Sequence, residues 1–127
     1  MIALILAATA TFAPLVGDFD HDGRPDTAQI VAVGGHYVLR VMRGADPRHP
    51  VTVWALGRGA PRNVLVEKAR AGRFQTACGK GEGNDSDPCP RTWVSLKEGD
   101  LSFGYEEAST AAAQWNGKRF VVDWLSD

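Results

Sequence analysis

Asp18, Asp20, Asp22 and Asp26 place four carboxylates in nine residues, Asp18-Phe19-Asp20-His21-Asp22-Gly23-Arg24-Pro25-Asp26. Carboxylate oxygens are the ligands of hard divalent cations. Ca²⁺ takes six to eight oxygens at roughly 2.3–2.6 Å, whereas Mg²⁺ keeps several waters and a stricter octahedron, so Ca²⁺ suits this stretch better. Alternate spacing lets a tightly curled loop turn successive carboxylates inward. Gly23 permits the sharp turn where a side chain would clash. Like charges at this density repel, and a bound cation would relieve them. The alternative is a solvated acidic turn, since Asp and Gly are ordinary turn residues.

The pattern is not an EF-hand. That loop closes with a bidentate Glu at its twelfth position, which here is Gln29. Pro25 also stands where an EF-hand runs on toward its exit helix. The residues that follow, Thr27-Ala28-Gln29-Ile30-Val31-Ala32-Val33, are apolar and β-branched and predict a strand. Gly17 to Asp26 followed by a strand resembles the calcium loop of FG-GAP/VCBS-type repeats, found in integrin α-subunit propellers and many bacterial surface proteins. The resemblance implies Ca²⁺ held by Asp18, Asp20, Asp22, the backbone carbonyl of Arg24, and Asp26. It covers residues 17–33 of the 127. Where those repeats often carry Gly-Ala-Pro, this chain has Gly34-Gly35-His36. One copy cannot make a propeller, which needs typically four to eight blades. The resemblance therefore speaks for the loop and its ion, not for that architecture.

Cys78 and Cys89 are the two cysteines. They bracket Gly79-Lys80-Gly81-Glu82-Gly83-Asn84-Asp85-Ser86-Asp87-Pro88, which has little capacity for regular structure. In an oxidising compartment a disulfide is the natural reading. Two free thiols or half of a metal site are the alternatives, although His21, His36 and His49 offer no matching ligand spacing. Glu82, Asp85 and Asp87 form a second acidic group without the regular spacing of the first.

No catalytic constellation emerges. There is no Gly-x-Ser-x-Gly elbow, and a strand through Glu106-Glu107 would send the two carboxylates to opposite faces. Gly79–Gly83 lacks the Lys-Ser/Thr of a phosphate loop. His21 is expected to point outward. Trp54, Trp93, Trp115 and Trp124 are core candidates, with a partner or sugar platform as the alternative use of any that are exposed.

Size and charge narrow the classes. A chain of 127 residues is one domain. The formal net charge is −1, with no run of basic residues, which argues against nucleic acid. Residues 1–13 carry no charge and resemble the apolar part of a secretory signal, with Ala8-Thr9-Ala10 as a cleavage candidate. The basic residues that normally precede such a segment are missing, and a core element is the alternative. The segment is too short for a bilayer span, which needs about 20 residues. The division expected is residues 1–13 as signal and residues 14–127 as one β-domain, periplasmic or secreted.

Short strands separated by turn signals must position these residues. Thr27–Val33 and His36–Arg43 read as strands across a Gly34-Gly35 hairpin turn. Asp46–Pro50 reads as loop. Val51–Leu56 and Val64–Ala69 follow as candidate strands, Phe74–Cys78 leads into the disulfide loop, and Thr92–Leu96 and Leu101–Glu106 flank a hairpin signal at Lys97-Glu98-Gly99-Asp100. Asn116-Gly117 predicts a tight hairpin between Ala108–Trp115 and Phe120–Leu125. The alanines of Ala108–Trp115 favour helix, but its alternation favours strand. Small residues on both faces would also let another layer approach. The expected fold is all-β, an antiparallel meander forming a small sandwich or barrel. The expected function is that of an exported, non-catalytic Ca²⁺-binding module with a protein or glycan partner. The alternative is a periplasmic inhibitor or ligand-binding protein using the disulfide loop and exposed aromatics.

Overall fold

The computed structural model describes residues 12–82 and 88–126. Among these residues the fold is all-β, with ten strands and one 3₁₀ turn. The first sheet is a meander of β1 (Leu15–Gly17), β2 (Asp26–Val33), β3 (His36–Arg43) and β4 (Asp46–Gly57). The second is ordered β10 (Phe120–Ser126), β9 (Ser109–Trp115), β8 (Leu101–Tyr105) and β5 (Val64–Lys68). A separate antiparallel pair joins β6 (Gly72–Gln75) to β7 (Trp93–Leu96). Every strand pairing is antiparallel.

The two four-stranded sheets enclose one core. Alternation sends Ala28 and Ile30 of β2, Leu39 and Val41 of β3 and Val53 of β4 inward. Leu101, Phe103, Ala111, Ala113 and Phe120 meet them from the second sheet. At one seam β4 lies against β10, and Trp54 and Trp124 meet there edge to face with ring centres 5.3 Å apart. At the other seam β1 lies against β5.

The alanine run of β9 makes sense only in three layers. Ala111 and Ala113 face the core, while Ala112 packs on the opposite side against Val94 and Leu96 of β7. A methyl on each face lets the sheet and the β6–β7 pair approach closely, so the tertiary context overrides the helical propensity of alanine.

Two local expectations are corrected. Asp46–Pro50 is strand, the start of β4. That stretch borders β3 on one side only, and proline is tolerated where no ladder hydrogen bond is required of its nitrogen. Lys97–Asp100 is a turn between β7 and β8, but these strands do not pair, since β7 joins β6 and β8 sits between β5 and β9. The turn therefore carries the chain from the outer layer into the second sheet. The C-terminal hairpin forms at the expected bounds, with Phe120 paired to Trp115 across a four-residue loop. Gly117 takes positive φ, and the Asn116 side-chain oxygen instead accepts the Lys118 and Arg119 N–H groups at 2.9 Å.

The Gly34-Gly35 turn forms as expected, with φ of 56° and 81°. It sets an unbroken β2–β3 register from Val33↔His36 to Thr27↔Met42. That register carries the end of β3 to the acidic loop. No described helix is long and apolar enough to cross a membrane. Residues 1–11, most of the signal-like segment, lie outside the described residues.

Candidate metal centre

The acidic loop spans the gap between β1 and β2, and its neighbours in sequence hold it in place. Phe19, between two aspartates, is fully buried in the core. It pins the chain so that Asp18 and Asp20 leave it toward the loop interior. His21 at φ 57° and Gly23 at φ 86° supply the two left-handed residues of the curl. For Gly23 that conformation costs little, whereas for His21 it is strained.

Asp18, Asp20 and Asp22 come together, each offering an oxygen, with these atoms all within 4.8 Å of one another. Unit charges at that distance repel by roughly 3 kcal/mol at the effective dielectric of a protein surface. The loop answers with donors of its own. Asp18 accepts the Asp22 and Gly23 N–H groups at 3.1 and 2.9 Å. Asp22 accepts the Arg24 N–H at 2.8 Å. Asp20, whose side chain is 1% exposed, pairs with the Arg43 Nε–H at 2.8 Å. Arg43 in turn lies over the Trp115 ring, 4.2 Å from its centre. The donor set presented to an ion is thus all oxygen and net negative, the chemistry a hard divalent cation requires.

Asp26 is used differently from the other three. It is fully buried at the first position of β2. One oxygen accepts the Phe19 and Asp20 N–H groups at 2.8 and 3.2 Å. The other accepts the Gly44 N–H at 2.8 Å. These fill three of about four lone-pair sites. Burial pushes its carboxyl above the ordinary aspartate range, the Gly44 and Asp20 N–H groups oppose the rise, and the neighbouring Asp20 charge adds to it. Gly44 is required here, because a Cβ would lie 2.4 Å from the Pro25 carbonyl oxygen. Asp26 therefore fastens the loop to the β3–β4 turn. Arg24 stands exposed at the rim.

Sequence reasoning missed three of these supports. His21 does not simply point outward, since its Nε2 lies 2.5 Å from Oδ1 of Asp100. Asp100 is 1% exposed and also accepts the Lys97 N–H and a Gln114 Nε2–H at 2.8 and 3.1 Å. This partner is 79 residues away and leaves no local trace. Arg43 and Gly44, by contrast, were within reach: a two-residue Gly34-Gly35 turn places residue 43 opposite residue 26.

Elsewhere, Cys78 and Cys89 form the expected disulfide, with Cα atoms 5.6 Å apart. Glu82 faces Lys80 at 3.6 Å, while Asp85 and Asp87 lie outside the described residues. Glu106 and Glu107 fall in the turn beyond β8 rather than in a strand. Both line a groove of about 240 Å³ with Leu65 and Glu67. Trp54, Trp115 and Trp124 pack on the core, whereas Trp93 is 45% exposed on β7. Compared with known proteins, the chain matches no family model, no curated protein and no solved structure.

Proposed function

We propose that this chain is an exported calcium-binding β-domain, without catalysis of its own, that serves as a structural or interaction module. The observation that carries this reading is the convergence of Asp18, Asp20 and Asp22 in a curled loop pinned by Phe19. Asp18, Asp20, Asp22 and the Arg24 carbonyl would hold the ion. Asp26 has one lone-pair site left to offer it and otherwise holds the loop from behind. The likeness of residues 17–33 to an FG-GAP/VCBS-type loop supports the same ion. The Cys78–Cys89 disulfide supports an oxidising compartment, periplasmic or extracellular. An ion bound only by the folded state adds about 2.7 kcal/mol of stability at a hundredfold excess over Kd.

Thermal unfolding of the oxidised protein in EDTA and in excess Ca²⁺ tests this. Ca²⁺ raises the midpoint by several degrees in the wild type and leaves an Asp20→Ala, Asp22→Ala variant unmoved. Equal midpoints with and without Ca²⁺ in the wild type would leave the loop as an acidic turn.

A second reading, an inhibitor or ligand-binding protein, has one observation in its favour. Trp93 is exposed on the outer face of β7, with the Arg73 guanidinium 4.7 Å from its ring centre. Such an exposed indole offers area to a protein or glycan partner.

A further inference from the structure

The acidic loop belongs to the first sheet by its strands, yet its side-chain contacts lead to the second, one directly and one through Arg43 of β3. His21 stands between the two ligand candidates Asp20 and Asp22 and lies 2.5 Å from Asp100, in the turn that opens β8. Asp20 holds Arg43, which stacks on Trp115 at the end of β9. Asp100 is a hub rather than a chance partner. Its carboxylate takes the Lys97 N–H, closing the β7–β8 turn, and Gln114 of β9, which also reaches the Ser95 carbonyl of β7 at 2.8 Å. Its backbone carbonyl takes the Ala69 N–H at 2.7 Å, at the end of β5.

From these contacts we infer that the loop is a clasp between the sheets, and that a divalent cation bound in it is felt at the β7–β8 turn through His21 and Asp100. This rests on the calcium reading of the loop and adds its readout. The physical reason is local. The positions of Asp20 and Asp22 fix the backbone of His21 between them. Drawing both carboxylates onto an ion selects one placement of the His21 ring, the one that meets Asp100. His21 holds a left-handed backbone that a non-glycine residue adopts at a cost, and the Asp100 contact is what offsets it. Coupling of this kind is reciprocal: if the ion steadies the contact, the contact strengthens the binding of the ion by the same factor.

The test uses the oxidised full chain stripped of metal and titrated with Ca²⁺. Affinity is read by calorimetry, and amide exchange is followed by mass spectrometry over residues 18–26 and 97–101. In the wild type Ca²⁺ slows exchange in both segments. In His21→Ala it slows exchange in the loop alone, and affinity falls about fivefold or more. His21→Gln, whose amide can still donate to Asp100, retains part of the effect. Because His21 lies at the surface, both variants keep the core. Loop protection without turn protection in the wild type overturns the clasp and leaves the metal site standing. So does a His21→Ala variant with unchanged affinity and turn protection. No Ca²⁺ binding in the wild type removes the metal site and the clasp together.

Discussion

Residues 18–26 and residues 76–91 are both glycine-bearing and acidic in sequence, and their described parts are held in contrasting ways. The first is held from inside. Phe19 is buried in the core, the Asp26 carboxylate collects three backbone N–H groups, and the remaining carboxylates converge. The described flanks of the second are tied down. A disulfide joins Cys78 to Cys89, and the flanks dock onto β10. There the Ala77 N–H donates to the Trp124 carbonyl at 2.7 Å, Lys80 Nζ to the Leu125 carbonyl at 2.7 Å, and Arg91 pairs with Asp123. Buried Thr76 closes the base, donating to the Arg91 carbonyl at 2.7 Å and accepting the Gly79 N–H at 3.0 Å. Acid content alone thus does not decide how a loop is held. Regular spacing and an apolar anchor between the acids distinguish the first loop.

The largest expected effect lies in that anchor. Phe19→Ala should destabilise the protein by about 3–5 kcal/mol, the usual result of emptying a buried aromatic site, and should abolish the Ca²⁺ response. Urea unfolding measures the first and calorimetry the second. A loss below about 1 kcal/mol would mean that the loop is not pinned by the core. Next comes the covalent tie. Replacing both cysteines by serine should cost about 3 kcal/mol in the chain-entropy account of a loop this short, while leaving the Ca²⁺-induced stabilisation intact. Loss of that stabilisation would break the comparison, because the two segments would then be one unit.

The smallest effect concerns Asp26. Its folded carboxyl sits above the unfolded value of 3.8, so without an ion the folded state holds the proton more tightly than the unfolded chain. As pH rises from about 4 through the folded value, the unfolded chain gives up its proton first, and stability falls across that window. Asp26→Asn should remove this part of the pH dependence. Chemical unfolding in chelator, wild type against variant across that range, reads the difference in slope. Parallel profiles would mean that burial does not govern this carboxyl.

Much of the architecture was legible because it is local. Alternation and Gly34-Gly35 disclose the β2–β3 hairpin, and the interrupted alanine run discloses a strand sheltered on two faces. The start of β4 was hidden because Pro47 and Pro50 signal a loop, whereas a strand bordered on one side tolerates them. The Lys97–Asp100 turn was legible as a turn, but β7 pairs back to β6 and β8 back to β5 rather than with each other, a choice that no local pattern encodes. The same holds at the acidic loop. The acids and glycine are contiguous and visible, whereas Asp100 and Trp115 arrive only when the second sheet folds against the first.

The most direct test of the central claim is a crystal structure of the oxidised protein grown with Ca²⁺, with anomalous scattering used to locate the ion. We expect a peak with oxygens of Asp18, Asp20, Asp22 and the Arg24 carbonyl at roughly 2.3–2.6 Å. A loop without a peak, its carboxylates still bonded to the N–H groups of Asp22, Gly23 and Arg24, would contradict the account.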